Sequence, residues 1–73
     1  MTQNEKILRH MKEFGSITSL EAMNWYGVYR LASRITDLRK DGVDIERRMV
    51  KGKNKYGEPI RFAEYRLGGN ENA

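Results

Sequence analysis

The chain runs to 73 residues and sets 14 Lys and Arg against 10 Asp and Glu, a net charge of +4. A chain this short builds one core and has little left for a deep substrate cavity, which excludes the large enzyme folds. It has no cysteine, so disulfides, thiolate metal sites and thiol nucleophiles are excluded, and its apolar runs are too short for a signal peptide or a membrane span, so a soluble, cytoplasmic protein is expected.

Ile7, Leu8, Met11 and Phe14 form one apolar stripe at helical spacing, with a capping box offered by Thr2 and Glu5 and a stop at Gly15, so a first helix is predicted. His10 sits at the edge of that stripe and reads as a surface or boundary residue. An extended step, Ser16-Ile17, leads into a second capping box, Thr18-Ser-Leu-Glu21. Helix 2 is expected to run to about Trp25, with Leu20 and Met23 on its inner face and Trp25 in the core. Tyr26-Gly27-Val28 reads as a tight turn, because glycine takes a positive φ at no steric cost. Val28, Leu31, Ala32, Ile35 and Leu38 then mark helix 3, about 28–41, which Gly42 ends. From Val43 the period changes to two, and Val43, Ile45, Arg47 and Met49 alternate with Asp44, Glu46, Arg48 and Val50 as a strand. Lys51 to Glu58 carries turn residues and reads as a long basic loop, and Pro59 to Leu67 reads as the return strand. In that strand Ala63, Tyr65 and Leu67 are expected to face the core, with a bulge near Phe62 or Ala63 reconciling them with Ile60 and Phe62. The fold class is α+β, mostly α: one domain over 1–67 and a polar, disordered tail over 68–73.

The charge is unevenly placed. Residues 47–61 hold six bases, Arg47, Arg48, Lys51, Lys53, Lys55 and Arg61, against one acid, Glu58, while the remainder holds eight bases and nine acids. The whole positive balance is concentrated in one segment, the footprint of a polyanion partner. A solvated hairpin whose lysines block edge pairing is the bland reading of the same charges.

Helix, extended step, helix, glycine turn, helix and basic hairpin follow in that order. They are carried by Ile17-Thr18-Ser-Leu-Glu-Ala22, Tyr26-Gly27-Val28, Arg30-Leu-Ala-Ser-Arg-Ile35, Asp37-Leu-Arg39 and Gly42. Over nearly its whole length the chain resembles a winged helix-turn-helix domain, and it is similar to the small helix-turn-helix proteins encoded by bacteriophages and mobile elements. One departure is a spacing of five from Ala22 to Gly27, longer than the tightest helix-turn-helix pattern. The resemblance implies three helices and a C-terminal two-stranded β-hairpin wing, with a short extra strand at Ser16-Ile17. It also implies a regulator of transcription or recombination in a bacterial or phage-infected cell, with helix 3 in the major groove of DNA and the wing, about 47–61, on the backbone or minor groove.

The side chains suit that role on physical grounds. With Val28, Leu31, Ala32, Ile35 and Leu38 inward, a turn of ~100° per residue leaves Arg30, Ser33, Arg34, Asp37 and Asp41 outward and Tyr29 at the N-terminal margin. Arg30 and Arg34 are the expected base readers, because arginine donates two bonds to guanine, and Ser33 bonds to bases or phosphate. Asp37 either accepts from a cytosine amino group or pairs with Arg34 or Lys40. Thr18 is expected to cap helix 2, leaving Ser19 to hold a phosphate at the helix N-terminus. Lys51, Lys53, Asn54 and Lys55 are expected on the backbone or in the minor groove, with Arg48 outward to phosphate and Arg47 in a structural role. Tyr56 stacks or lies against a sugar, or packs across its own hairpin.

Nothing in the sequence marks an enzyme, a metal site, a cofactor or a small-molecule substrate. His10 is the only histidine, and Asp41, Asp44 and Glu46 straddle a helix end and a strand without ligand periodicity. The expected partner is double-stranded DNA, bound by a homodimer or adjacent copies, since one module has a small footprint. A rival is an adaptor that inhibits a host protein through Trp25, Tyr26 and Tyr29. A second is double-stranded RNA, whose narrow major groove excludes helix 3 and leaves the wing in charge.

Overall fold

Reciprocal capping boxes start the first two helices of the computed structural model, which describes residues 1–68. In helix α1, Gln3–Phe14, the Glu5 N–H donates to Thr2 Oγ1 at 3.1 Å and the Thr2 N–H to Glu5 Oε1 at 3.0 Å. That backbone bond holds the Glu5 carboxyl below its ordinary value. The depressed group supports the fold above the ordinary carboxylate range, and its support is lost as pH falls through the lowered value. Strand β1, Ile17–Thr18, one residue later than expected, passes directly into helix α2, Ser19–Tyr26. Thr18 caps it with the same pair of bonds, at 2.9 and 3.2 Å. Thr18→Ala is expected to cost about 1 kcal/mol, read as a shift in the urea midpoint, because it orphans one of the helix's first donors.

Gly27 closes α2 in the left-handed region at φ 68, and its N–H donates to Met23 O at 2.9 Å. The Val28 N–H then reaches back to Ala22 O at 3.1 Å, so the chain folds over the end of α2 before a new helix can begin. Helix α3 is therefore Leu31–Lys40, three residues later than the expected start near 28. Val28 is buried as an anchor, and Tyr29 and Arg30 lie in the turn rather than in the helix.

Strands β2, Ile45–Lys53, and β3, Pro59–Leu67, form an antiparallel hairpin, and β1 adds to the far side of β3, giving the order β1-β3-β2. Register runs unbroken from Ile45 opposite Leu67 to Lys53 opposite Pro59. The expected bulge is absent, and Val43 precedes the strand. Ala63, Tyr65 and Leu67 share one face with Ile45, and Ile60 and Phe62 share the other with Val50. Both apolar sets are satisfied because both faces of the hairpin carry apolar residues. Of the expected tail 68–73, Gly68 is buried and donates to Asp44 O at 2.8 Å, and 69–73 lie outside the described residues.

The core joins Ile7 and Met11 of α1, Ile17, Ala22, Val28, the α3 trio Leu31, Ile35 and Leu38, Ile45 and Tyr65. Three expectations are reversed. Leu20 and Met23 are exposed, because α2 turns Ala22 and Tyr26, one helical turn apart, toward α1. Ala32 lies at the margin of the stripe centred on Leu31, Ile35 and Leu38 and is exposed. His10 and Trp25 exchange roles: His10 is 1% exposed and Trp25 58%. His10 Nδ1 shares a 2.8 Å hydrogen bond with Tyr26 Oη, and Phe14 and Trp25 pack their rings on the imidazole with centroids 4.7 and 5.1 Å away.

Burial raises the Tyr26 hydroxyl above its ordinary pKa of 10.0. A raised acid favours the fold below its unfolded pKa and loses that advantage as pH rises through the folded one, so alkaline destabilisation begins near pH 10. Tyr26→Phe is expected to cost about 1–3 kcal/mol at neutral pH, since it leaves a buried imidazole nitrogen unpaired, and to remove that alkaline sensitivity. Urea titrations at neutral and alkaline pH check both effects.

Candidate nucleic-acid interface

The face of α3 opposite the Leu31, Ile35 and Leu38 stripe is centred on Ser33 and Lys40, with Thr36 and Asp37 beside them. From the sequence Lys40 was named only as a partner for Asp37, and Thr36 was not singled out. Centring the helical projection on the buried residues of α3, Leu31, Ile35 and Leu38, recovers them. Thr36 donates its hydroxyl back to Ala32 O at 3.0 Å. Arg34 lies roughly 70° from the centre of the core stripe, at the flank of the helix rather than on its outer face. It is two-thirds buried there and pairs with Asp37 at 3.2 Å. The pairing of Asp37 with Arg34 is one of the readings the spacing allowed, and it ties up this guanidinium.

Arg30, at the N-cap position, makes no side-chain cap bond and is exposed. Tyr29 beside it is 81% exposed. Asp41 closes the helix with its own N–H and does not extend the outward face. Arg39, which sequence reasoning passed over, donates from Nη2 to Ile45 O at 3.0 Å and ties α3 to the start of the wing.

In the wing, Lys51 and Lys53 stand in β2 rather than in the loop. The loop is shorter than expected because Asn54 organises it. Asn54 Oδ1 accepts from the N–H groups of Tyr56 and Glu58 at 2.9 and 3.0 Å, and Nδ2 donates to the Glu58 carboxylate at 3.1 Å. Gly57, at φ 79, supplies the left-handed step. The Asn54 side chain is thus spent on the turn. Lys55 and Tyr56 occupy the tip, with Lys55 Nζ 5.3 Å from the Tyr56 ring centroid and Tyr56 itself exposed rather than packed across the hairpin.

Register places Arg47, Lys51, Lys53 and Arg61 on one face. None of these four, nor Lys55, has a carboxylate partner among the described residues. Arg9, Arg34, Arg48 and Arg66, by contrast, are each paired. Arg48, expected to reach outward to phosphate, instead bonds Glu64 across the strand pair at 2.8 Å on the opposite face.

Beyond Arg48 that opposite face is apolar. Val50, Ile60 and Phe62 line one side of an open cleft of about 960 Å³, and Leu20, Met23, Val28 and Tyr29 line the other. Gly52 lets the Phe62 ring lie flat on the strand, since a Cβ there would stand 2.8 Å from Phe62 Cε1. Ser19, exposed at the start of α2, sits at the rim. The aromatic surface expected of an adaptor is divided: Tyr29 borders this cleft, while Trp25 and Tyr26 lie with Phe14 against His10.

Among the described residues no three His, Asp or Glu side chains are placed to hold a metal, and no helix is long and apolar enough to cross a membrane. Residues 2–70 match a family model described as a winged helix-turn-helix domain. No curated protein and no solved structure matches the chain.

Proposed function

The chain belongs to the winged helix-turn-helix domain family, a fold that points to double-stranded DNA as partner and is typically without enzymatic activity, and from that premise we propose how it holds a duplex. The α3 face enters the major groove. Arg30 donates to a guanine edge, Ser33 and Lys40 bond to bases or phosphates along the groove, and the Thr36 methyl group meets a thymine methyl. Lys51, Lys53, Lys55, Arg47 and Arg61 neutralise phosphates of the flanking backbone, and Ser19 caps one at the start of α2. Arg34, held by Asp37, contributes charge beside the groove rather than base readout.

The observation that carries this reading is that Arg47, Lys51, Lys53 and Arg61 gather on one wing face without carboxylate partners among the described residues, whereas Arg48 and Arg66 on the other face are each paired. Size and element order support the finer role of a phage or mobile-element regulator of transcription or recombination. Two copies on one site would supply the footprint that tight specific binding needs. Anisotropy titration of a labelled random-sequence duplex at several salt concentrations tests the proposal. Micromolar binding that weakens steeply with salt supports it, and no binding at low salt overturns it.

Asp37→Asn separates charge from fold in the same assay. Loss of this partly exposed ion pair is expected to cost about 1 kcal/mol in urea denaturation. Removing a carboxylate from the groove face and freeing Arg34 is expected to strengthen duplex binding several-fold at low salt.

A further inference from the structure

We propose that Asp37 reads a cytosine in the major groove and that Arg34 is the positioning residue that holds its carboxylate there, an inference that rests on the DNA reading above and names a base for it. At turns of ~100° per residue, the order around α3 from flank to outer face is Arg34, Asp37, Ser33, Lys40, so Asp37 stands between the guanidinium and the groove face. Arg34 Nη2 approaches only one carboxylate oxygen, Oδ2, at 3.2 Å. Oδ1 has no partner among the described residues, and the Asp37 side chain is 41% exposed against 33% for Arg34. One oxygen is therefore tied to the scaffold and the other is open as an acceptor. Arg34 is suited to the holding role, because its Nε is covered by protein, which limits how far the guanidinium can swing. Lys40, the other cation within helical reach of Asp37, makes no ion pair among the described residues and leaves the carboxylate to Arg34.

The chemistry of an acceptor selects the base. Cytosine alone offers the major groove a donor, its N4 amino group, with no acceptor of its own beside it. Adenine sets N7 next to its amino group, and guanine O6 and N7 and thymine O4 are all acceptors. A carboxylate facing those edges meets lone pairs, so the same side chain attracts cytosine and repels the alternatives, and discrimination is built from both terms. A carboxylate alone among phosphates is repelled by them, and the guanidinium beside it offsets that repulsion. Asp37 thus lowers affinity for a random duplex and recovers it where a cytosine amino group faces Oδ1.

The test uses the full chain. Duplexes with a randomised centre are selected on the wild type, Asp37→Asn and Arg34→Gln, and the recovered sites are titrated by anisotropy with each base pair at each position. Expected for the wild type is one position where cytosine binds roughly tenfold more tightly than the other bases. Asp37→Asn should move that preference to adenine and leave the other positions alone, because a carboxamide accepts from N6 while donating to N7. Arg34→Gln should weaken the cytosine preference several-fold with Asp37 intact. Loss of charge or of stability scales all sequences alike and does not change a ratio between bases, and circular dichroism checks that both variants fold. An unchanged base profile in Asp37→Asn overturns the proposal, and an unchanged profile in Arg34→Gln overturns the positioning role. Salt-dependent duplex binding with no cytosine preference overturns the proposal and leaves the DNA reading standing. No binding of any duplex at low salt removes the DNA reading and this inference with it.

Discussion

Replacing Lys51, Lys53 and Lys55 together by alanine is expected to flatten the dependence of log affinity on log salt by roughly three, about 0.9 for each phosphate left without its lysine. Around six neutralised phosphates would give the wild type a slope of roughly −5, so the variant keeps about half of it. Affinity for a random duplex should fall on the order of 100-fold near 0.1 M salt and converge with wild type as salt rises, because the missing contribution is counterion release. The expected pattern depends on where the lysines stand. All three are exposed on strand or turn positions that make no internal ion pair, so their removal leaves the core intact and urea midpoints should move little. Parallel anisotropy titrations and urea melts of the two proteins check it. An unchanged slope would show that the wing does not meet the polyanion.

Ile35→Ala is expected to have the largest effect on stability, about 2–5 kcal/mol. Ile35 is 1% exposed, at the centre of the α3 stripe between Leu31 and Leu38. Its truncation leaves a cavity that neighbours cannot refill without moving a helix. A chain this small holds stability of only a few kcal/mol to about 10 kcal/mol, so a substantial unfolded fraction at 37 °C is expected. Leu20→Ala makes the contrast. The same kind of truncation on a side chain facing the open cleft should cost about 0.5 kcal/mol or less. Thermal melts of both variants by circular dichroism check the pair, and similar losses would contradict the orientation of α2.

Of these two side chains, Ile35 lies in the core as expected, whereas Leu20 was expected on the inner face of α2 and faces the cleft. The capping boxes of Thr2 and Thr18, the Gly27 turn and the α3 period are written in residues a few positions apart, so local rules find them. Helix α2 carries Leu20, Ala22, Met23, Trp25 and Tyr26, apolar on several sides, and period alone does not say which stripe faces α1. Burial of His10 depends on Tyr26, sixteen positions away, which no local pattern announces. The expected bulge in β3 came from assuming one buried face, whereas the hairpin presents apolar residues on two. In the candidate interface, the charge count located the basic segment, but Arg30 stands in the turn and Lys51 and Lys53 in β2, not where spacing put them. The partners of Asn54 and Arg48, Glu58 with the turn amides and Glu64 across the hairpin, exist only once the hairpin has closed, so no local pattern announces them.

Arg39 gives the fold a property that belongs to neither element alone. Its bond to Ile45 O ties the last turn of α3 to the first residue of the wing, so helix and hairpin are joined like the two jaws of a caliper. In the proposed complex a duplex gripped by both jaws would have to present its groove and its flanking backbone together, and sequences that bend or narrow to that spacing easily would be favoured at base pairs the protein never touches. Selectivity of this kind would reside in the scaffold and would survive the loss of any single base-reading side chain.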